Sequence, residues 1–279
     1  MPEYQSAFDL LIDAELRADA LGSGFGILVV EGPDDKRVFV RHVLNSAQVL
    51  PAGGRRILLS AHEKANAKQR KKMIFITDCD YEVRRGSLRG APDLVITTLT
   101  DMESDLVSIG LLESIVLDLV PGALKSKDAC GKAVDKLHEL AVGIARPLGR
   151  IRMAAQPYGI PLAIDEIKIR KYWDVKTGEM DLGKLIIATH SKISEVLILE
   201  EWRRLVLATP DDRAMCHGKD LVRAISFVLR EVFRVDAATP DTITRFLRIG
   251  MTDKHLSAWD LVRRVRKWQT ENRRSILRS

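Results

Sequence analysis

The sequence of 279 residues predicts an α/β protein, with a parallel sheet and flanking helices followed by a mainly helical C-terminal region that contains a β-hairpin. Three observations predict it. Short apolar runs, each followed by a turn and a helical pattern, recur before about residue 104. Long helical patterns replace them afterwards, interrupted by a β-branched segment with hairpin signals near 161–182. We therefore expect an α/β region at 1–120 that carries the chemistry, and a mainly helical region at 121–279 that packs on it.

The first region is expected to contain four short strands. Their runs are ILVV at 27–30, QVLP at 48–51, MIFIT at 73–77 and LVITT at 94–98. Continuous apolar runs, rather than alternating ones, are typical of strands buried on both faces of a parallel sheet. Apolar residues at helical spacing predict helices at 5–21, 36–44 and 55–72. Strands that alternate with helices in this way favour a doubly wound sheet.

The second region is expected to be helical around one hairpin. Helical patterns cover 105–120, 128–144, 185–208, 217–233 and 256 onward. Within 161–182, residues 174–179 have the composition of a turn. Trp259 and Trp268, which stand at helical spacing, are expected in the core, and His217 at the start of a helix.

Composition and charge leave the partner open. The chain has 44 basic and 38 acidic side chains, a net charge of +6 that is compatible with a polyanion but does not require one. Its first residues lack the apolar core of a signal peptide, and no run reaches the length of a membrane helix, so we expect a cytoplasmic protein without membrane contact. Cys79, Cys130 and Cys216 form no CxxC pair and are expected to be buried.

Carboxylates end three of the predicted strands. Glu31 ends the first, Asp78 and Asp80 the third, and Asp101 and Glu103 follow the fourth. Ligands of α/β sheets bind at this carboxyl edge. Side chains two apart on extended backbone point the same way, so we expect Asp78 and Asp80 to lie side by side.

Such a cluster predicts a divalent cation. Ionised carboxylates repel one another unless a cation or protons intervene. Hard oxygen ligands select Mg²⁺ or Mn²⁺, ions that pair with phosphate oxygens and stabilise charge in phosphoryl transfer. The expected substrate is therefore a phosphodiester.

Simpler interpretations exist for some of these acids. An Asp after a strand often caps the next helix, and this applies to Asp34, Asp35 and Asp101 taken singly. An Asp-x-Asp pair also occurs in haloacid dehalogenase phosphatases and glycosyltransferases. The phosphatase motif continues to Thr or Val, where this chain has Glu82, and the strand that ends in Glu31 comes earlier. Both differences count against a phosphatase.

Two motifs, VVEGPDDK and FITDCDYE, resemble those of the Toprim fold of topoisomerases, bacterial primases and OLD nucleases. The further segments TTLTDMESDLV, PLAIDEIKIRKYWD and MCHGKDLVRAI resemble a Toprim-like nuclease family related to the OLD nucleases. That family includes the Toprim effector of the PARIS anti-phage system, which acts with an ATPase. The wider resemblance extends over about residues 25–270.

The resemblance implies roles for individual residues. Glu31 matches the Toprim glutamate, a metal ligand or general acid/base, and Asp78 and Asp80 match the metal-binding Asp-x-Asp. Asp35 and Glu103 fall where related nucleases carry further metal-binding acids. It also implies a Mg²⁺- or Mn²⁺-dependent nuclease that acts as a toxic effector in antiviral defence. Because the chain has no phosphate-binding GxxxxGK[ST] motif, ATP-dependent control would come from a separate ATPase subunit.

Nucleic-acid contacts are expected from basic side chains near these motifs, namely Lys36, Lys68, Arg70, Lys71 and Lys72. A solvated helix face is the simpler interpretation of the run at 68–72, and of the basic stretch at 261–278. DNA, tRNA and other RNA remain open as substrates, since their backbones are similar. Dimerisation on activation is expected from the way paired Toprim sites cut duplexes. A binding or regulatory module that does not cleave its ligand is the alternative function.

Overall fold

The computed structural model describes residues 4–278 except 23, 46, 84, 85, 160, 161, 163 and 175. It has the predicted fold class, with a four-stranded parallel sheet, flanking helices, a helical region and a small antiparallel hairpin. The chain forms two compact units, one from Met1–Thr98 with Met251–Ser279 and the other from Leu99–Gly250. These differ from the expected regions 1–120 and 121–279, because the C-terminal segment returns to the unit that holds the sheet.

The first unit contains the parallel sheet, and the second is mostly helical. The first unit contains α1 (Ala7–Leu21), β1 (Ile27–Val30), α2 (Pro33–Phe39), β2 (Gln48–Pro51), α3 (Arg55–Lys64), α4 (Ala67–Arg70), β3 (Met73–Thr77) and β4 (Leu94–Ile96). The second contains α5 (Met102–Leu106), α6 (Leu112–Leu119), α7 (Lys127–Ala155), α8 (Ile169–Tyr172), β5 (Trp173–Asp174), β6 (Glu179–Met180), α9 (Leu182–His190), α10 (Leu199–Ala208), α11 (Gly218–Glu231) and α12 (Pro240–Ile249). The first unit closes with α13 (Asp253–Ala258) and α14 (Asp260–Asn272). None of the helices in the described part of the chain has the length and apolar character of a membrane span.

The sheet has the strand order β2-β1-β3-β4, and every pairing is parallel. All residues of β1, β3 and β4 are buried, as their continuous apolar runs predict. Val30 pairs with Pro51 on one side and Ile76 on the other. Parallel pairing brings the carboxyl ends of the strands to one edge, with β1 and β3 as neighbours.

Helices cover both faces of this sheet. On one face, α1 and α3 pack over the strands, and Leu10 and Leu58 join Ile27, Val29 and Phe75 in one buried cluster. Strand side chains alternate between faces, and α2 and α14 contact strands β1, β2 and β4. The four aliphatic residues of β1 are fully buried. Removing each side chain from water stabilises the fold by about 1.5–3 kcal/mol.

The C-terminal segment completes the first unit. Phe25 bridges to Ser275 and Val43 to Leu277, and the amide of Leu44 donates to the carbonyl of Ile276 at 2.7 Å. Trp259 and Trp268 are buried, as predicted, and Trp259 stacks on Phe39 with 5.7 Å between ring centroids. These contacts explain why residues 251–279 belong with the sheet.

Several predicted helices have different bounds. The helix expected at 36–44 starts at Pro33 and ends at Phe39, and the one at 55–72 divides into α3 and α4 because Ala65 is extended and Asn66 caps α4. The helix expected at 105–120 is interrupted by a π-helical stretch, Val107–Leu111, in which Gly110 has φ 100°. A residue with that φ is not helical, so the axis breaks there.

The later part of the chain departs further from the sequence patterns. Helix α7 continues beyond the expected residue 144 to Ala155, and the helix expected at 185–208 divides into α9 and α10. The hairpin expected at 161–182 is confined to two-residue strands, β5 and β6, around the predicted turn. A 3₁₀ turn, Ile164–Glu166, and α8 occupy the β-branched run instead, and residues 161, 163 and 175 lie outside the described part.

Candidate functional site

Glu31 lies at the carboxyl edge of the sheet and reaches across to the neighbouring strand. Its Oε1 accepts a short hydrogen bond from the Thr77 hydroxyl and a second from the Asp78 amide at 2.9 Å. The side chain is 19% exposed. The Glu31 carboxylate therefore links the ends of the first and third strands, and its contact with Asp78 is made through the main-chain amide.

Arg55 stands at the centre of the acids of this edge. Its Nη1 donates to Asp80 Oδ2 at 2.9 Å and to the Asp78 carbonyl at 2.7 Å, and its Nη2 donates to Glu82 Oε2 at 2.8 Å. Glu31 Oε1 lies 3.6 Å from Nη1. We call Glu31, Asp80 and Glu82 around Arg55 the acid cluster.

The acid cluster changes the proton affinity of Arg55. Burial lowers the pKa of the guanidinium, but attraction to Asp80, Glu31 and Glu82 outweighs burial and raises its pKa above the usual value. Arg55 is therefore a permanent positive charge. Its position follows from the Gly53-Gly54 turn, where φ values of 84° and 126° lead the chain from β2 directly into α3.

The sequence predicts that Asp78 and Asp80 lie side by side on extended backbone. This prediction is wrong. Strand β3 ends at Thr77, and Asp80 has φ 42°, in the left-handed region that Asp tolerates better than most residues. The Cys79 amide donates to the Thr97 hydroxyl at 2.8 Å, which ties the segment between the two acids to the end of β4. Asp80 therefore reaches Arg55 from a turn, not from a strand.

Asp34 and Asp35 have separate roles at the start of α2. Asp35 Oδ2 accepts from the Gly32 amide at 2.8 Å, so its carboxylate caps the helix. Asp34 is largely exposed and pairs with Arg37 at 2.7 Å. The capping interpretation thus applies to Asp35, and Asp34 is the more solvated of the two.

Asp101 and Glu103 lie in the second unit, where burial dominates their chemistry. Asp101 caps α5 by accepting from Ser104, and also accepts from the Gly218 amide at 2.6 Å. Burial raises the pKa of Asp101, and burial with the nearby Asp101 charge raises the pKa of Glu103. The capping role expected as an alternative for Asp101 is confirmed.

Sequence reasoning missed the partners that surround these two acids. His217 Nδ1 lies 3.4 Å from Asp101 Oδ2, and Arg248 Nη2 lies 4.0 Å from Glu103 Oε1. A Cβ at residue 218 would overlap Asp101 and Glu103, so only Gly fits there. The motif CHGKDL contains this glycine, and His217 stands at the start of α11, as predicted.

The basic residues expected to contact nucleic acid lie in two places. Lys36 is half-buried in the last turn of α2, whereas Lys68, Arg70, Lys71 and Lys72 precede β3. The second group is thus at the amino edge of the sheet, and its nearest member, Lys72, is about 20 Å from Asp78 along six extended residues. Within it, Lys68 pairs with Glu15 at 3.1 Å, Arg70 pairs with Asp93 at 2.8 Å, and Lys72 is buried against Asp19.

The carboxyl edge offers the kind of ligand atom that a divalent cation prefers, but the described residues form no ready-made site for one. The atoms of the acid cluster that could coordinate a metal ion are all carboxylate oxygens. Three carboxylates face one guanidinium, so the cluster has a net charge of minus two if all three are ionised. No three His, Cys, Asp or Glu side chains among the described residues stand close enough together to hold an ion. In this arrangement Arg55, rather than a shared metal position, determines where the acids point.

No protein-family model matches the sequence, and no curated protein matches it. The Toprim resemblance therefore rests on the short motifs alone.

Proposed function

We propose that this protein is a Mg²⁺- or Mn²⁺-dependent nuclease of the Toprim type that hydrolyses phosphodiester bonds in nucleic acid. Glu31, Asp78 and Asp80 are the proposed catalytic and metal-binding residues, with Asp35 as a further candidate ligand. The observation that carries the proposal is the side chain of Glu31, which spans two parallel strand ends and accepts a hydrogen bond from the main-chain amide of Asp78. Carboxylates on adjacent strand ends are what a metal-dependent nuclease needs at one edge.

The residues divide the chemistry between them. A bound ion would supply charge stabilisation to the phosphate oxygens. Glu31 is anchored by Thr77 and the Asp78 amide, which leaves its orientation well defined for holding the ion or moving a proton. Asp78 and Asp80 would supply further oxygen ligands from the turn that follows β3.

In the cell, we propose a cytoplasmic effector of anti-phage defence whose toxicity is controlled by a separate ATPase subunit, with dimerisation on activation. The supporting features are the short motifs that resemble the Toprim-like family. The nucleic acid would be tRNA, another RNA or DNA.

The nuclease assay is the decisive test. We expect purified protein to cleave labelled tRNA, single-stranded DNA or duplex DNA in Mg²⁺ or Mn²⁺. Glu31→Gln and Asp78→Asn should each reduce the rate by at least about 100-fold, because each removes a charged oxygen ligand. Asp34→Asn is the matched control, since Asp34 is an exposed acid near the same edge and should leave the rate unchanged.

Cleavage that persists in both variants would contradict the proposed active site and point to a contaminant or another site. If both variants also cleave nucleic acid when the ATPase partner is present, the proposed active site would be contradicted for the activated form as well.

A binding module that does not cleave is the second candidate function, and Arg55 is the observation that favours it. A guanidinium that already balances part of the charge of the acid cluster is compatible with a site that serves assembly rather than catalysis. Metal binding without cleavage of any of these nucleic acids, with and without the ATPase partner, would favour this alternative.

A further inference from the structure

Arg55 stands among two of the proposed metal ligands, Glu31 and Asp80, and a third acid, Glu82. Its guanidinium lies within 4 Å of three carboxylates, at 3.6 Å from Glu31, 2.9 Å from Asp80 and 2.8 Å from Glu82. One positive charge facing three negative charges leaves an imbalance of two. A divalent ion would balance that remainder, but the guanidinium stands among the oxygens that would bind the ion.

The hydrogen bonding of Arg55 is incomplete. Its Nε is buried, and none of the described residues accepts a hydrogen bond from it. A buried donor without an acceptor lowers the stability of the folded protein, so part of what Arg55 gains from its ion pairs is offset. The long side chain also starts at the first residue of α3, where it can turn away without moving a strand.

We propose that Arg55 is an exchangeable internal counter-ion that occupies the acid cluster in the metal-free protein and competes with the divalent cation for it. The inference rests on the proposed function, because it assumes that the ion binds to Glu31 and its neighbours. Arg55 is a positioning residue in this scheme: it keeps the acids together before the ion arrives and sets the affinity for the ion.

The test compares Mn²⁺ binding by isothermal titration calorimetry in the full chain and in Arg55→Gln. We expect the variant to bind Mn²⁺ about tenfold more tightly, since removing a competing charge at this range shifts such equilibria by about one logarithmic unit or more. In EDTA, the melting temperature of Arg55→Gln should be lower than that of the unchanged protein. Added Mn²⁺ should raise the melting temperature of the variant by more than it raises that of the unchanged protein. Arg37→Gln is the control, because Arg37 is an exposed arginine on α2 whose loss should change neither quantity.

Equal or weaker Mn²⁺ binding by Arg55→Gln would overturn the counter-ion proposal, while Mn²⁺ binding that depends on Glu31 would leave the proposed function standing. No Mn²⁺ binding by either protein would overturn both. If Arg55→Gln does not fold without metal, Arg55→Lys keeps the charge but cannot bridge Asp80 and Glu82 with a planar fork, so it competes less well for the acids. It should bind Mn²⁺ more tightly than the unchanged protein, and equal or weaker binding would overturn the proposal.

Discussion

Glu31 and Arg55 illustrate how single residues at this edge depend on one another. Glu31 uses one oxygen to accept two hydrogen bonds from the end of β3, and the same oxygen faces the guanidinium. A partly buried carboxylate with such partners has one orientation rather than several, which a metal ligand or proton carrier requires. Asp35 and Asp34 differ in the same respect. The Asp35 carboxylate is oriented by a hydrogen bond from the Gly32 amide, whereas Asp34 is exposed at the surface.

Cysteine reactivity provides a test at this scale. Burial raises the pKa of Cys216 to about 12. Since the thiolate is the reactive form, an iodoacetamide pulse at pH 8 should leave Cys216 unmodified in the folded protein and label it in 8 M urea, as peptide mass spectrometry would detect. The folded thiol stays protonated after the unfolded thiol ionises near 9.0, so its contribution to stability is complete below pH 9 and is lost as the pH rises toward 12. Rapid labelling of the folded protein would contradict this burial.

Helix α7 shows what decides stability at the level of an element. It crosses the second unit over 29 residues and contacts α11, and Arg152 on α7 pairs with the fully buried Asp220 on α11 at 2.7 Å. Burial lowers the pKa of Arg152, but its hydrogen bond and attraction to the Asp220 carboxylate outweigh burial and raise the pKa above the usual value. Residues 141–155 of this helix are all buried or half-buried, and small residues such as Ala141 and Gly149 are among the buried ones.

Two glycines of α7 are expected to respond in opposite ways to alanine. A Cβ at Gly149 would overlap the Met215 carbonyl oxygen, whereas a Cβ at Gly131 would meet no atom within 4 Å. Gly149→Ala should therefore lower the free energy of unfolding by about 3 kcal/mol through overpacking. Gly131→Ala should raise it by about 0.5–1 kcal/mol through helix propensity. Urea denaturation followed by circular dichroism measures both, and similar effects for the two variants would contradict the packing described.

At the level of the whole molecule, the chain contains two compact units, one of which is discontinuous in sequence. The segment Met251–Ser279 supplies α13, α14 and a terminal strand-like stretch to the unit that holds the sheet. That unit thus depends on contacts between residues more than 200 positions apart, such as Phe25 with Ser275.

Ile276 tests this dependence. It is fully buried, and its carbonyl accepts from Leu44. Ile276→Ala should lower the free energy of unfolding by about 2–5 kcal/mol, the usual cost of removing a buried isoleucine side chain. Ile249→Ala, at a residue that is 55% exposed, should change it little. Equal effects of the two substitutions in thermal unfolding would show that the C-terminal segment does not stabilise its unit.

The sequence by itself determined the parallel sheet, its buried strands, the buried tryptophans and the placement of Glu31 and Asp78 at one edge. These features follow from local apolar runs and from the parallel direction of the strands, both of which are encoded over a few residues. The tertiary structure alone decided that Arg55 lies among the acids, that Asp80 comes from a left-handed turn, and that residues 251–279 join the sheet. Each of these depends on contacts between distant residues, and no periodicity or motif specifies which side chain meets which across such a distance.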